Sequence, residues 1–402
     1  MNVRLARRAA EQPASPIRRL APFAAAARGR GRRVFQLNIG QPDIRAPREV
    51  LERLKTFDRP NIAYGPSEGL PEFLDAIQEY YAGLCLDYRR SELFATTGGS
   101  EALLFTLAAI ADHGDDVLVF EPFYTNYSGF AALVGVHIRP VTTYAEDGYH
   151  LPSMDTIEAQ IGPKTRAILL CSPNNPTGTV YGDEELEGIG ELCRKHGLYL
   201  VADEVYREFT YDGAVHRSAA TLAGLDQQVI LTDSLSKRVS LCGARVGWIA
   251  SKNAAFMDAI LRFGQARLCP PTLGQYVGAV FNRIAGDYMR SVVAEYEKRR
   301  DLVFAALDAM PGVLVRKPEG AFYLCAKLPI DDAQKFCEFL LRDFEIGGET
   351  VMLAPADGFY ATPGAGADAV RIAYVLNTTE LARAMEIIRR ALEAYPGTAS
   401  RG

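Results

Sequence analysis

Histidine and tryptophan are scarce, with five histidines and one tryptophan among 402 residues. The histidines (His113, His137, His150, His196 and His216) are dispersed, without HExxH or HxH, which argues against a His-based metal site. The seven cysteines are scattered, odd in number and without a CxxC pair. A disulfide framework or zinc ribbon would look different, so they read as reduced thiols of a cytoplasmic protein. No uncharged apolar run reaches the roughly 18 residues that would cross a bilayer, so no membrane span is expected. Lys+Arg number 44 against 49 Asp+Glu, a net charge of -5, which lacks the basic surplus of a nucleic-acid binder. The P-loop pattern is absent, and no GxGxxG opens a helix after a strand; Gly364-Ala365-Gly366 precedes a strand pattern and reads as a turn. What is present is an ordinary folding composition, 48% hydrophobic and 23% charged. The length suits two domains, or one large domain with a satellite.

One segment is biased. Residues 1–33 hold nine arginines (Arg4, Arg7, Arg8, Arg18, Arg19, Arg28, Arg30, Arg32 and Arg33) against a single acid, Glu11. A mitochondrial presequence, a basic arm for a polyanion and an amphipathic first helix all have this composition; the helix is the structural reading.

The remainder alternates strand and helix patterns. Strands are expected at 116–120, 167–172, 198–203, 228–233 and 245–250, short, apolar on both faces and rich in Val, Ile and Leu, as a parallel sheet covered by helices requires. Helices are expected at 99–112, 123–134, 182–196 and 252–266. The alternation predicts an α/β domain with a mostly parallel sheet over residues 47–285. A long, bent helix is expected over 272–309, then strands near 321–327 and 369–375 and helices at 331–343 and 378–394. Residues 1–46 and 286–402 together predict a smaller, discontinuous α+β domain.

Open α/β sheets bind ligands at the carboxyl ends of their strands. Three such ends carry chemistry here. The strand over 167–172 leads into Pro173-Asn174-Asn175-Pro176-Thr177-Gly178, that over 198–203 into Asp203-Glu204-Val205-Tyr206, and that over 228–233 into Ser234-Leu235-Ser236-Lys237. Parallel strands would bring an amide, a carboxylate, a phenol and an amine onto one rim. Each alone has a structural reading: a turn, a helix cap, a surface lysine. Thr97-Gly98-Gly99-Ser100 opens a helix, where free N–H groups favour an anion such as phosphate.

Taken together with the landmarks that follow, these motifs mean that the chain resembles a fold type I, pyridoxal-phosphate-dependent aminotransferase of class I/II. The resemblance runs from Leu37-Asn38-Ile39-Gly40-Gln41-Pro42-Asp43 to Arg371, nearly the whole chain. Its most specific element is Ser234-Leu235-Ser236-Lys237 followed by Gly243-Ala244-Arg245-Val246-Gly247. It implies transfer of an amino group from an L-amino acid to a 2-oxo acid in two half-reactions, alternating pyridoxal and pyridoxamine forms of pyridoxal 5'-phosphate. Lys237 would bind the cofactor as a Schiff base and move the Cα proton; Asp203 would hold the pyridine nitrogen protonated. Asn175 and Tyr206 would bond the phenolic oxygen, with Tyr206 counted among the catalytic residues. Tyr124 would stack on the ring, while Gly99, Ser100, Ser234 and Arg245 would cradle the phosphate. Arg371 would take the substrate carboxylate, with Gly40 and Asn175 beside it. Tyr64 resembles the family tyrosine that reaches the phosphate of a neighbouring subunit, which implies a homodimer.

The same resemblance leaves other fold type I outcomes open: a C–S lyase, a decarboxylase or an amino-acid oxidase. Transcription regulators with an aminotransferase-like domain carry a DNA-binding domain in front of it, for which the stretch before Leu37 is too short. One departure concerns substrate choice. Acid-specific relatives place an arginine ahead of the Pro-Pro pair; here, counting from Pro270-Pro271, that place falls near Gly264, and Arg267 is out of register. Arg18 or Arg19 could instead close over the site. Aspartate, aromatic and aliphatic donors all remain open.

Overall fold

The computed structural model describes residues 3–13, 15–58, 60–284 and 286–398. Ala285, where the sequence sets a domain boundary, lies outside the described residues, as do residues 399–402 and the side chains of Arg8 and Glu11. The chain opens with α1 (Arg7–Glu11), α2 (Ala21–Gly29), β1 (Arg33–Gln36), α3 (Arg48–Lys55) and α4 (Pro71–Gly83). The middle of the chain follows: β2 (Leu93–Thr96), α5 (Gly98–Ile110), β3 (Asp116–Glu121), α6 (Asn126–Val134), β4 (His137–Thr142), α7 (Met154–Glu158), β5 (Thr165–Cys171), α8 (Asp183–His196), β6 (Tyr199–Asp203), β7 (Val229–Ser234), α9 (Leu235–Arg238), β8 (Gly247–Ala250) and α10 (Ala254–Arg267).

These strands form a seven-stranded sheet in the order β2-β8-β7-β6-β5-β3-β4. β8 runs antiparallel to both neighbours and the other pairings are parallel. Side chains alternate between two cores, as a period of two requires. Leu118, Phe120, Ile168, Leu200 and Leu231 enter one core. Their neighbours Val117, Val119, Ala167, Leu169, Val201 and Ile230 enter the other. Continuous apolar runs therefore mark strands buried on both faces.

The structure corrects several expectations. The strand expected at 245–250 begins at Gly247 and is the antiparallel one. Arg245 sits off its end in a left-handed conformation, φ 53. The helix expected from 123 starts at Asn126. The single helix expected over 272–309 is broken into α11 (Thr272–Gly278), a 3-10 turn at Phe281–Arg283 and α12 (Gly286–Asp308). The break lets Phe281 stack on Trp248, ring centroids 5.6 Å apart. Burial of an aromatic pair outweighs helical continuity there. The strands β2 and β4 had not been expected. β4 is a sheet-edge strand carrying Pro140 and is mostly half-buried, so its pattern is weak.

After α12 come β9 (Leu314–Val315), β10 (Tyr323–Lys327), α13 (Ala333–Arg342), β11 (Glu349–Met352), β12 (Ala354–Pro355), β13 (Ala369–Ala373) and α14 (Thr378–Ala394). β12-β13-β10-β9 is an antiparallel sheet, and β1 pairs in parallel with β11. Leu20, Ala24, Phe35 and Leu37 from the start of the chain share a core with Phe336, Leu340, Val351, Ile372 and Ile388 from its end. Part of the arginine bias is explained here. Arg30 donates to the carbonyl of Leu341 at 2.8 Å and Arg32 to that of Arg342 at 2.9 Å. Cations at the last carbonyls of α13 match the negative end of that helix.

Candidate active site

The carboxyl ends of β5, β6 and β7 face the sheet that carries Arg371. Between them lies a cavity of about 310 Å³. Asp203 ends β6 and Ser234 ends β7; Lys237 sits on α9, the single turn that follows β7 directly. Asn175 follows β5, Gly99 and Ser100 open α5, and Gly40 follows β1. All of these line the cavity, together with Tyr124, Tyr206, Arg245 and Arg371. Tyr64 does not: its side chain is 80% exposed, away from the cavity of its own chain.

Asp203 is buried, and Tyr127 donates a hydrogen bond to its Oδ2 at 2.8 Å. Burial pushes its carboxyl up to about 6, against the pull of the Tyr127 bond, the Val205 N–H and Lys237. A cation facing the carboxylate would favour its ionised form. Lys237 donates from Nζ to the carbonyl of Gly40 at 2.7 Å. Burial pushes its amine down to about 8, assisted by Arg371 and Arg245 and opposed by Cys242 and Asp203. That brings an uncharged, nucleophilic amine within reach of neutral pH. Gly40 can carry no side chain, because a Cβ would overlap the Tyr323 ring.

Arg371 enters from β13 and is buried. Its guanidinium lies between the rings of Tyr323 (4.7 Å to the centroid) and Phe359 (4.9 Å). Nη1 donates to Asn175 Oδ1 at 3.2 Å and Nη2 donates to the carbonyl of Asn38, while Nε has no partner among the described residues. Tyr206 and Tyr323 share a hydrogen bond between their hydroxyls at 2.9 Å. Burial holds the Tyr206 phenol well above its ordinary range and pushes Tyr323 up to about 12, so both stay protonated donors.

At the other end of the cavity, Gly98 takes a left-handed φ of 72 just ahead of the helix N–H groups of α5. A Cβ on Gly98 would stand 2.7 Å from Nη2 of Arg245. Only glycine lets that guanidinium come so close to the helix start. A fixed cation beside free helical N–H groups is an anion pocket.

Sequence reasoning had not singled out Tyr127, Tyr323 or Cys242. Tyr127, in the first turn of α6, meets the Tyr124 ring edge to face at 5.6 Å between centroids. Tyr323 lay inside an apolar strand pattern and gave no sign of its contact with Gly40. The place near Gly264 is closed to any arginine, because Phe94 fills the space beside that glycine. Arg267 is turned away, to Glu101 at 2.6 Å and the carbonyl of Ser67 at 2.9 Å. Arg19 pairs with Asp357 at 2.9 Å, whereas Arg18 lines the cavity.

The donor set fits a cofactor that joins a phosphate, a carbonyl and a basic ring nitrogen. The anion pocket, the Lys237 amine and the Asp203 carboxylate answer those three groups. The unpartnered Arg371 Nε is a further donor left for a substrate.

Comparison with known proteins agrees. The family model "Aminotransferase class I and II" matches residues 32–388. The chain is 31% identical to an aspartate aminotransferase of Thermotoga maritima, over 97% of this chain and 100% of that relative. It is 30% identical to aromatic-amino-acid aminotransferase 2 of Thermococcus litoralis, over 94% and 96%. Among solved structures, it is similar to a mutant aspartate aminotransferase of Thermus thermophilus (TM-score 0.88, 28% identity, 97% of this chain and 100% of that one). It is also similar to an alanine aminotransferase of Pyrococcus furiosus (TM-score 0.89, 28% identity, 97% and 100%). The architecture is that of fold type I. The chain belongs to the class I and II aminotransferases, enzymes that use pyridoxal 5'-phosphate to pass amino groups between amino acids and 2-oxo acids.

Proposed function

We propose that Lys237, Asp203 and Arg371 divide the work of transamination among them. The observation that carries this reading is their convergence, from α9, β6 and β13, on one cavity. When bound, pyridoxal 5'-phosphate supplies an aldehyde that condenses with amines and a ring that draws electrons from the substrate Cα. Lys237 would hold the cofactor through its amine and, when that amine is free, would move a proton at the substrate Cα. Its amine, pushed down to about 8, is free enough for both jobs. Asp203 would keep a proton on the ring nitrogen, and the bond from Tyr127 fixes the orientation of its carboxylate. Arg371 would bind the substrate carboxylate through the N–H edge of its planar guanidinium, beside Asn175 and Gly40. Asn175 and Tyr206 would hold the phenolic oxygen, and Tyr124 would pack on the ring. Gly99, Ser100, Ser234 and Arg245 would hold the phosphate.

We assign residues 47–285 to a large cofactor-binding domain, and 1–46 with 286–402 to a small one. The shared core of chain start and chain end supports that division. A homodimer is proposed in which Tyr64 reaches the neighbouring site. Exposed Ile62 (59%) and Tyr64 (80%) beside Leu273 (38%) support it, with Ala63 and Thr272 joined by a hydrogen bond. The cytoplasm is the proposed location, in keeping with seven free cysteines.

The test is to supply an amino donor without any 2-oxo acid. One 2-oxo acid per site should form and turnover should then stop, to resume when a 2-oxo acid acceptor is added. Continuous release of ammonia or hydrogen peroxide would overturn the reading in favour of elimination or oxidation.

A further inference from the structure

Residues 15–20, ahead of α2, run along the cavity as a strap, with Ser15, Ile17 and Arg18 in its lining. It is anchored on both sides of Arg18. Pro16 fills the space over Gly358, where a Cβ would overlap it. The Ile17 carbonyl accepts from Asn38 Nδ2 at 3.4 Å, and its side chain packs on Ala354, Ala356, Phe359 and Ala369. Arg19 donates to both carboxylate oxygens of Asp357, at 2.9 and 3.0 Å. Behind this contact, Phe123 N–H donates to the carbonyl of Phe359, the residue whose ring covers Arg371. The strap therefore lines the cavity, and the loop it grips packs against Arg371.

Arg18 lies between these anchors. Its side chain is exposed and lines the cavity, and no acid among the described residues pairs with it. Four cations line the cavity (Arg18, Lys237, Arg245 and Arg371) against one carboxylate, Asp203. In the functional reading above, Arg245 meets the phosphate, Arg371 the α-carboxylate, Lys237 the aldehyde and Asp203 the ring nitrogen. Of these four cations, Arg18 alone is left without a counter-charge, and it is the exposed one among them.

We propose that Arg18 is the specificity-determining residue for the substrate side chain, and that the substrates are amino dicarboxylic acids and their 2-oxo dicarboxylate partners. The proposal rests on the transamination reading. A guanidinium takes a carboxylate through two parallel hydrogen bonds, and the paired Arg19–Asp357 contact holds the strap so that Arg18 keeps its direction. Neutral and aromatic donors would meet the apolar surfaces of Ile17, Ile39 and Tyr124 but leave Arg18 unanswered.

The experiment compares kcat/KM of the full-length holoenzyme for aspartate and glutamate with that for alanine and phenylalanine, in wild type, Arg18→Gln and Arg18→Lys. Wild type should favour the acids. In Arg18→Gln the acid-to-neutral ratio should fall roughly 10- to 100-fold, through KM for the acids, as expected for a hydrogen-bonded charge pair. Arg18→Lys should recover part of it. As a binding readout, an unreactive four-carbon dicarboxylate should raise Tm of wild type more than that of Arg18→Gln. Wild type that prefers neutral donors, or an Arg18→Gln ratio that does not move, would overturn the proposal and leave transamination standing. Failure of every donor to yield a 2-oxo acid would instead overturn the transamination reading itself.

Discussion

Two sets of residues share the same stretches of chain and do opposite things. Asp203, Tyr206, Ser234 and Lys237 face the cavity. Each has a charged sequence neighbour, Glu204, Arg207, Asp233 and Arg238, that is buried outside it. The neighbours close on one another. Arg238 pairs with Asp233 at 2.5 Å and Glu208 at 3.4 Å, and Arg207 pairs with Glu204. Ser218 adds a hydrogen bond to Glu204 at 2.9 Å, and Tyr80 donates to Glu208. The rim set turns its groups to the cavity instead: the Lys237 amine, held by the Gly40 carbonyl, and the Asp203 carboxylate, held by Tyr127. Alternation at the strand ends thus separates chemistry from support. One side is left open for a cofactor, and the residues next to it lock the turns that carry it.

The sharpest way to break this comparison is to remove one member from each side. Lys237→Ala should lower turnover by about 10⁴-fold or more, while the cofactor-free protein melts no earlier than wild type. The check is single-turnover kinetics beside Tm. Arg238→Ala should do the reverse. It strands Asp233 and Glu208, so it should cost about 3–5 kcal/mol of stability, read from the urea midpoint. A large activity loss at unchanged stability would place Arg238 with the rim and end the distinction. Asp203→Asn should slow proton abstraction by about 10²–10³-fold while the urea midpoint stays near wild type.

The smallest effect concerns two histidines. His216 sits against the buried cluster, and burial with the nearby Arg207 pushes it down to about 3, so it stays neutral at working pH. His150 is held above its ordinary value by its hydrogen bond to Glu185. Its folded pKa is raised, so its stabilising contribution is full below about pH 6.5 and is lost as pH rises through the folded value. Being partly exposed, the pair should contribute under about 1 kcal/mol. Tm measured against pH should lose this slope in His150→Ala and keep it in His216→Ala.

Much of the rim was legible because it sits on sequence-local punctuation: an apolar strand, then Asp203, or a strand, then Ser234 and Lys237. The parallel sheet was legible for the same reason, since strands buried on both faces read as unbroken apolar runs. What escaped was set by contacts between distant parts of the chain. Tyr323 meets Gly40 and Tyr206 only because β10 is brought against the strand ends, and nothing in its own strand pattern marks it. Arg245 looked like a strand residue, yet its guanidinium reaches the start of α5 because the backbone turns left-handed there. The long helix broke where Phe281 found Trp248. Arg30 and Arg32, a charge bias with several readings in the sequence, are fixed by carbonyls more than 300 positions away.

The central claim is that the open rim, through Lys237, is where the cofactor is held. The direct measurement is to load the full-length protein with pyridoxal 5'-phosphate, reduce the linkage with borohydride and map the modified peptide by mass spectrometry. The account predicts one cofactor per chain, on Lys237, with the label displaced by prior incubation with an amino donor. Labelling of a different lysine, or none after reconstitution, would contradict it.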